Sequence, residues 1–212
     1  MITVLSPAKK LSTECGAYGK NYTHPSFLNA SQTLVNQLKK LDPPAIQSLM
    51  GISEKLSELN WERYQSWVDS AGSENSREAI YTFLGDTYTG LEAQSLSADD
   101  IGFAQENTRI LSGLYGILKP LDLIQPHRLE MGTKLASKSG KNLYEYWNHS
   151  LSQSISQELD GHSSATVINC ASVEYFKSID LPELIANVIT PQFKEVKNGR
   201  IRMVSFFAKK AR

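Results

Sequence analysis

The sequence predicts a mixed α/β (α+β) fold, with a central mixed β-sheet surrounded by helices. Three observations lead there. Short apolar, β-prone runs at residues 2–5, 79–84 and 165–169 are too brief for helices and end at turn-forming residues. Between them lie longer segments whose apolar residues recur every three or four positions. The clearest carries Leu143, Trp147, Leu151, Ile155 and Leu159. No Ser-, Gly- or Pro-rich linker and no repeat interrupts this interleaving, so residues 1–212 are read as one domain.

Taken in order, the first run ends at Ser6-Pro7, a strand followed by a turn. Lys9 and Lys10 come next, where a loop at a strand's carboxyl end either lines a cleft or is simply solvated. Residues 12–25 lack any period and read as loop, with His24 at a surface turn before Pro25. Phe27, Leu28, Leu34, Val35, Leu38 and Leu41 mark a helix that Asp42-Pro43-Pro44 stops. A second helical segment begins at those prolines and carries Ile46, Leu49, Met50, Leu56 and Leu59. Trp61, Tyr64, Trp67 and Val68 form a further apolar face, assigned to the core rather than to base stacking.

The strand expected at 79–84 ends in Gly85-Asp86. Asp86 is either a turn former or a lone carboxylate available as a general base or metal ligand. Ser97 is placed to cap a helix, with Asp99 and Asp100 in the first turn where the helix dipole favours anions. The helix with the four-residue repeat stops at Gly161. After the run at 165–169, Ser172 is placed to cap a short helix, and Cys170 reads as a small buried hydrophobe. Residues 187–196 and 200–208 read as two strands joined by Lys197-Asn198-Gly199, with Arg200 and Arg202 alternating onto one face.

Residues 108–132, TRILSGLYGILKPLDLIQPHRLEMG, hold the densest cluster of turn formers and polar groups. Gly113 and Gly116 lie three apart between apolar flanks. One reading is a helix-hairpin-helix-like element whose exposed N–H groups face a phosphate, with Lys119 and Arg128 supplying charge. The other is a buried connection whose glycines permit close packing.

Twenty-two basic residues balance twenty-two acidic ones, but not locally. Residues 187–212 hold seven Lys or Arg and one Glu, which can create an attractive field for an anionic partner. Cys15 and Cys170 form no metal-ligand or disulfide pattern, and neither a metal nor another cofactor is called for. No stretch is long and apolar enough for a signal peptide or a membrane span, so a cytoplasmic protein without a membrane partner is expected.

The segments SPAKKL (6–11), GDTYTGL (85–91), ILSGLYGILKPLDLIQP (110–126), RLEMG (128–132) and SFFAKKAR (205–212) resemble the YaaA family, in the family's order and over nearly the whole chain. That resemblance implies a cytoplasmic bacterial protein of the peroxide stress response that keeps unincorporated iron low. It also implies DNA binding through a positively charged cleft carrying a helix-hairpin-helix element. Family members continue past the KKAR segment, so a chain ending there is expected to lack a C-terminal extension. The expected DNA-binding residues are Lys9, Lys10, Gly113, Gly116, Lys119, Arg128, Lys209, Lys210 and Arg212. Nothing suggests base readout, so binding is expected to be structure-selective or non-specific. The alternative is an enzyme acting on a nucleotide or other phosphorylated small molecule, with Asp86, Asp122, His127 or Glu130 in acid–base roles. It predicts a closed pocket, whereas DNA binding predicts an open basic groove. Direct iron binding is the weakest reading, because its possible ligands are scattered.

Overall fold

The structure is a computed structural model that describes residues 1–14, 16–19, 21–69, 72, 74–197, 199–202 and 209–211. Its first half contains β1 (Ile2–Leu5), β2 (Lys10–Leu11), α1 (Leu28–Leu38), α2 (Pro43–Met50), α3 (Glu54–Ser66), β3 (Arg77–Glu78), α4 (Ala79–Thr82), β4 (Phe83–Leu84), α5 (Asp86–Leu91) and α6 (Ala98–Asn107). The remainder contains β5 (Thr108–Ser112), β6 (Gly116–Leu118), β7 (Leu123–Ile124), α7 (Leu143–Trp147), α8 (Ser150–Leu159), β8 (Thr166–Asn169), α9 (Val173–Phe176), β9 (Asn187–Ile189), β10 (Glu195–Lys197) and β11 (Arg200–Arg202).

The five-stranded central sheet has the order β6-β5-β1-β8-β9. β1 runs parallel to β5 and β8, β8 runs parallel to β9, and β6 alone is antiparallel. A strand flanked on both sides and covered on both faces needs apolar residues at nearly every position. β1 has them: Ile2, Val4 and Leu5 are buried. Helices cover the sheet with the periodic residues expected of them, Leu34, Val35 and Leu38 from α1 and Leu151, Ile155 and Leu159 from α8. Each such side chain taken out of water contributes on the order of 1.5–3 kcal/mol.

Several sequence expectations need correction. The helix expected through 143–159 is two helices, because the chain turns at Asn148 with φ 43°. Asn tolerates positive φ better than most residues, and the apolar repeat reaches the core on both sides of the break. The strand expected at 79–84 is mostly a helical turn, α4. Thr82 Oγ1 donates to Glu78 O at 2.9 Å, closing that turn, and β3 and β4 on either side pair with β7 and β2. A six-residue apolar run cannot by itself distinguish these outcomes. The C-terminal hairpin does form at β10 and β11, but as a separate two-stranded ribbon that pairs Lys197 with Arg200. The rest of its expected second strand lies outside the described residues.

The stretch read as helix-hairpin-helix-like is a β-hairpin. β5 and β6 flank the Gly113–Tyr115 turn in antiparallel register, with Ser112 opposite Gly116. Both glycines are buried. A Cβ at Gly113 would come within 2.2 Å of Leu129 O, and one at Gly116, where φ is +70°, would meet the Trp147 ring at 2.9 Å. Close packing requires glycine at both positions.

Polar groups tie these layers together. Arg109, almost fully buried on β5, donates to Glu158 on α8 through Nε at 2.6 Å and to Gln105 O at 2.8 Å. Asp122 accepts from Thr23 Oγ1 at 2.6 Å and from Lys119 N at 2.7 Å. Burial still raises its pKa despite those hydrogen bonds.

Candidate functional site

The carboxyl ends of β1, β5 and β8 open on one side of the sheet. β1 has β5 on one side and β8 on the other, so loops leaving these strands diverge and a crevice is left between them. A cleft of about 510 Å³ lies there. Ser6 follows β1, Ser112 ends β5, and Cys170 and Ser172 follow β8; all four line the cleft.

The other walls come from segments that local pairings bring to the same place. The β2–β4 ladder sets Lys10 opposite Leu84, which brings Lys9 and Lys10 beside Gly85, Asp86 and Tyr88. The Gly113 turn packs against the backbone of Leu129, setting Arg128 and Glu130 at the rim of β5. At Gly90 a Cβ would meet Lys210 O at 2.2 Å, so only glycine lets the C-terminal segment lie across α5. That contact places Lys209 on the cleft.

Hydrogen bonds fix the floor. Ser172 N donates to Ser6 Oγ at 2.8 Å, and Ser6 Oγ lies 3.2 Å from Ser172 Oγ. The Tyr88 hydroxyl donates to Ser6 O at 2.9 Å. Burial pushes the Tyr88 and Tyr175 hydroxyls well above their usual range, so both remain protonated donors at neutral pH.

The rim is charged. Lys9 Nζ lies 2.9 Å from Glu130 Oε2, and Arg128 Nη2 lies 2.7 Å from Glu130 Oε1, so one carboxylate bridges two cations. Arg128 is held from below, its carbonyl accepting from the Tyr64 hydroxyl. Arg128 Nε is buried and has no hydrogen-bond partner among the described residues. With Lys10 and Lys209 the cleft carries four cations, against the carboxylates of Asp86, Glu130 and Glu174.

His127, the most enclosed titratable group of the cleft, is held neutral. Burial lowers its pKa to about 4, with Arg63 adding a smaller effect in the same direction. Its Nδ1 lies 2.9 Å from Gln125 O. A carbonyl only accepts, so Nδ1 carries the proton and Nε2 keeps its lone pair. His127, one of the residues lining the cleft, therefore carries a hydrogen-bond acceptor and weak base at Nε2.

Of the expected site residues, Lys9, Lys10, Arg128 and Lys209 meet at this cleft. Lys119 and Lys210 do not line it, and Lys119 instead caps the Asp122 turn through its backbone. Gly113 and Gly116 sit in the buried hairpin turn, and Arg212 lies outside the described residues. Among the candidate acid–base groups Asp86, His127 and Glu130 reach the cleft, while Asp122 is occupied elsewhere. Sequence reasoning missed Ser6, Ser172, Tyr88 and Glu174. The signal for the two serines was present: each is a small polar residue just beyond an apolar strand. Among the described residues no three His, Cys, Asp or Glu side chains gather where they could hold a metal ion. No helix there is long and apolar enough to cross a membrane.

Four of the cleft's walls, at residues 6–10, 85–88 and 128–130 and at Lys209, come from segments that carried the resemblance, and comparison with known proteins agrees. The family model described as "Peroxide stress protein YaaA" matches residues 1–212. The chain belongs to the peroxide stress protein YaaA family. It is similar to a UPF0246 protein of Aliivibrio fischeri (strain MJ11), 48% identical over 212 residues, spanning all of this chain and 82% of that relative. A UPF0246 protein of Idiomarina loihiensis is 49% identical with the same coverage. One from Burkholderia vietnamiensis is 47% identical over 214 residues, again covering 82% of the relative. Within the YaaA family frame, the mixed α/β fold and the cleft are this chain's own geometry.

Proposed function

We propose that this chain is a cytoplasmic DNA-binding protein of the hydrogen peroxide stress response, limiting iron-dependent damage and holding nucleic-acid phosphates at the cleft. The observation that carries this reading is the convergence of Lys9, Lys10, Arg128 and Lys209 on the carboxyl ends of three parallel strands. Four cations from distant parts of the sequence, gathered beside serine hydroxyls, suit a phosphate oxyanion. Membership of the peroxide stress family supplies the biological setting. DNA shielding and lowered free iron would both reduce hydroxyl-radical damage.

The test is a fluorescence-anisotropy titration of duplex, bubble and single-stranded DNA over a salt series. Four phosphate contacts predict a loss of duplex affinity of roughly 150-fold between 50 and 200 mM salt. Salt-independent binding, or none at low salt by folded protein, would remove the proposal.

One feature favours the second reading, an enzyme acting on a nucleotide or other phosphorylated small molecule. The cleft is bounded and of small-ligand size, and its cations are partly matched by carboxylates. His127 Nε2 and Glu130 would then be the acid–base groups. Turnover of a nucleotide that is lost in Glu130→Gln and His127→Asn would decide for it.

A further inference from the structure

We infer that Glu130 is a placeholder for the ligand phosphate: its carboxylate takes the position between Lys9 and Arg128 that a nucleotide phosphate occupies on binding. This inference rests on reading the cleft as a phosphate site and adds how that site is regulated.

Three observations carry it. Glu130 is an anion already seated between two of the cleft's cations, at 2.9 Å from Lys9 Nζ and 2.7 Å from Arg128 Nη2. The seat is only partly satisfied, since Glu130 grips Arg128 through Nη2 and the buried Arg128 Nε has no acceptor among the described residues. A phosphate offers more acceptor oxygens than a carboxylate and can serve a guanidinium bidentately. Finally, the Lys9 arm of the bridge is open to solvent: the Lys9 side chain is 66% exposed, against 24% for Glu130 and 18% for Arg128. The contact to an exposed lysine adds little stability, so that half of the bridge is exchanged at little cost.

The cations are thereby kept in place but not left bare. Glu130 lowers affinity for every phosphate and admits only ligands whose remaining contacts compensate. Glu174, the other carboxylate of that wall, differs because it is engaged by the backbone, accepting from Gly132 N at 2.9 Å.

The experiment is calorimetric titration of the full chain with deoxyadenosine monophosphate and, separately, with inorganic phosphate at low salt. Wild type is compared with Glu130→Gln, Glu130→Asp and Glu174→Gln. Glu130→Gln is expected to tighten binding about tenfold, the equivalent of one charge-assisted contact no longer competed for. Glu130→Asp draws the charge back by one methylene and is expected to tighten binding about threefold on the same scale. It remains informative if the glutamine variant fails to fold. Glu174→Gln removes the same charge from the same cleft and should stay within about twofold of wild type. The ratios should be alike for both probes, since the competition is for phosphate. Equal tightening in Glu130→Gln and Glu174→Gln would overturn the inference in favour of a general field effect. Weaker or unchanged binding in both Glu130 variants, or tightening with the nucleotide alone, would also overturn it while leaving the phosphate site standing. No binding of either probe by any folded protein would overturn both.

Discussion

Two hollows flank the end of β8, and they differ in kind. The larger, about 860 Å³, is walled by apolar side chains such as Val173, Phe176, Ile179, Leu181 and Pro182. The smaller, about 510 Å³, holds the charged and hydroxyl groups described above. One strand end feeds both: Asn169 and Ala171 face the larger hollow, and Cys170 and Ser172 the smaller. That is the two-residue alternation of extended chain. The ions at the larger hollow are already used. Lys177 Nζ sits 5.0 Å from the centre of the Tyr144 ring, and Asp180 pairs with His149 Nδ1 at 2.5 Å. Volume here follows apolar curvature. Chemistry follows the meeting of segments remote in sequence, and that distinguishes the smaller hollow as the candidate site.

The largest expected effect comes from the turn that holds up the cleft wall. Gly113→Ala would press a methyl group against Leu129 O, where a Cβ falls at 2.2 Å. Backbone on both sides leaves no easy relief, so the expected loss is about 3 kcal/mol in denaturant unfolding, with DNA affinity falling alongside. Gly161→Ala, whose nearest neighbouring atom is 3.8 Å away, should change stability by less than about 0.5 kcal/mol.

Charge reversal separates the hollows directly. Lys10→Glu combined with Lys209→Glu, both on exposed side chains of the smaller cleft, should weaken DNA binding by roughly 100-fold at 50 mM salt. Lys177→Glu at the larger hollow should leave it within about twofold. Equal losses would mean that long-range field, not the cleft, sets affinity.

His127 gives a smaller effect with a defined pH window. Its folded pKa, about 4, lies below its ordinary value of 6.5. The unfolded chain therefore takes up the proton first on acidification, and stability falls as pH drops from about 6.5 towards 4, with no further loss below. Between pH 7.5 and 5 the loss from this group is about 2 kcal/mol. His127→Asn, which keeps a donor for Gln125 O, should remove that share of the acid sensitivity in urea melts. An identical pH profile in the variant would contradict a buried neutral imidazole.

Much of this was legible in the sequence. Ile2–Leu5 and Thr166–Asn169 are strands because their apolar runs are short and end in turn residues. Ser97 and Asp100 form the capping box that their spacing announced. Lys9, Lys10, Arg128 and Lys209, expected from the sequence at a phosphate site, line one cleft. What escaped reading was non-local. Nothing within the GLYG turn reveals that Leu129 lies against Gly113, and that contact makes the turn a packed hairpin rather than an exposed phosphate loop. The run at 79–84 looks like strand because composition cannot report that Glu78 and Thr82 close a helical turn. The Lys9–Glu130–Arg128 bridge spans 122 sequence positions, so no spacing argument finds it. Among the described residues, the basic surplus of residues 187–212 brings Lys209 to the cleft, and carboxylates from other segments partly match the cleft's cations.

On the proposed function, the smaller, charged hollow takes the phosphate. Backbone amide shifts of the isotope-labelled chain, followed by NMR during titration with a short single-stranded oligonucleotide, test it most directly. The largest shifts are expected at Ser6, Lys9, Lys10, Asp86, Arg128, Glu130 and Ser172. Shifts confined to residues 177–192, around the apolar hollow, would contradict it.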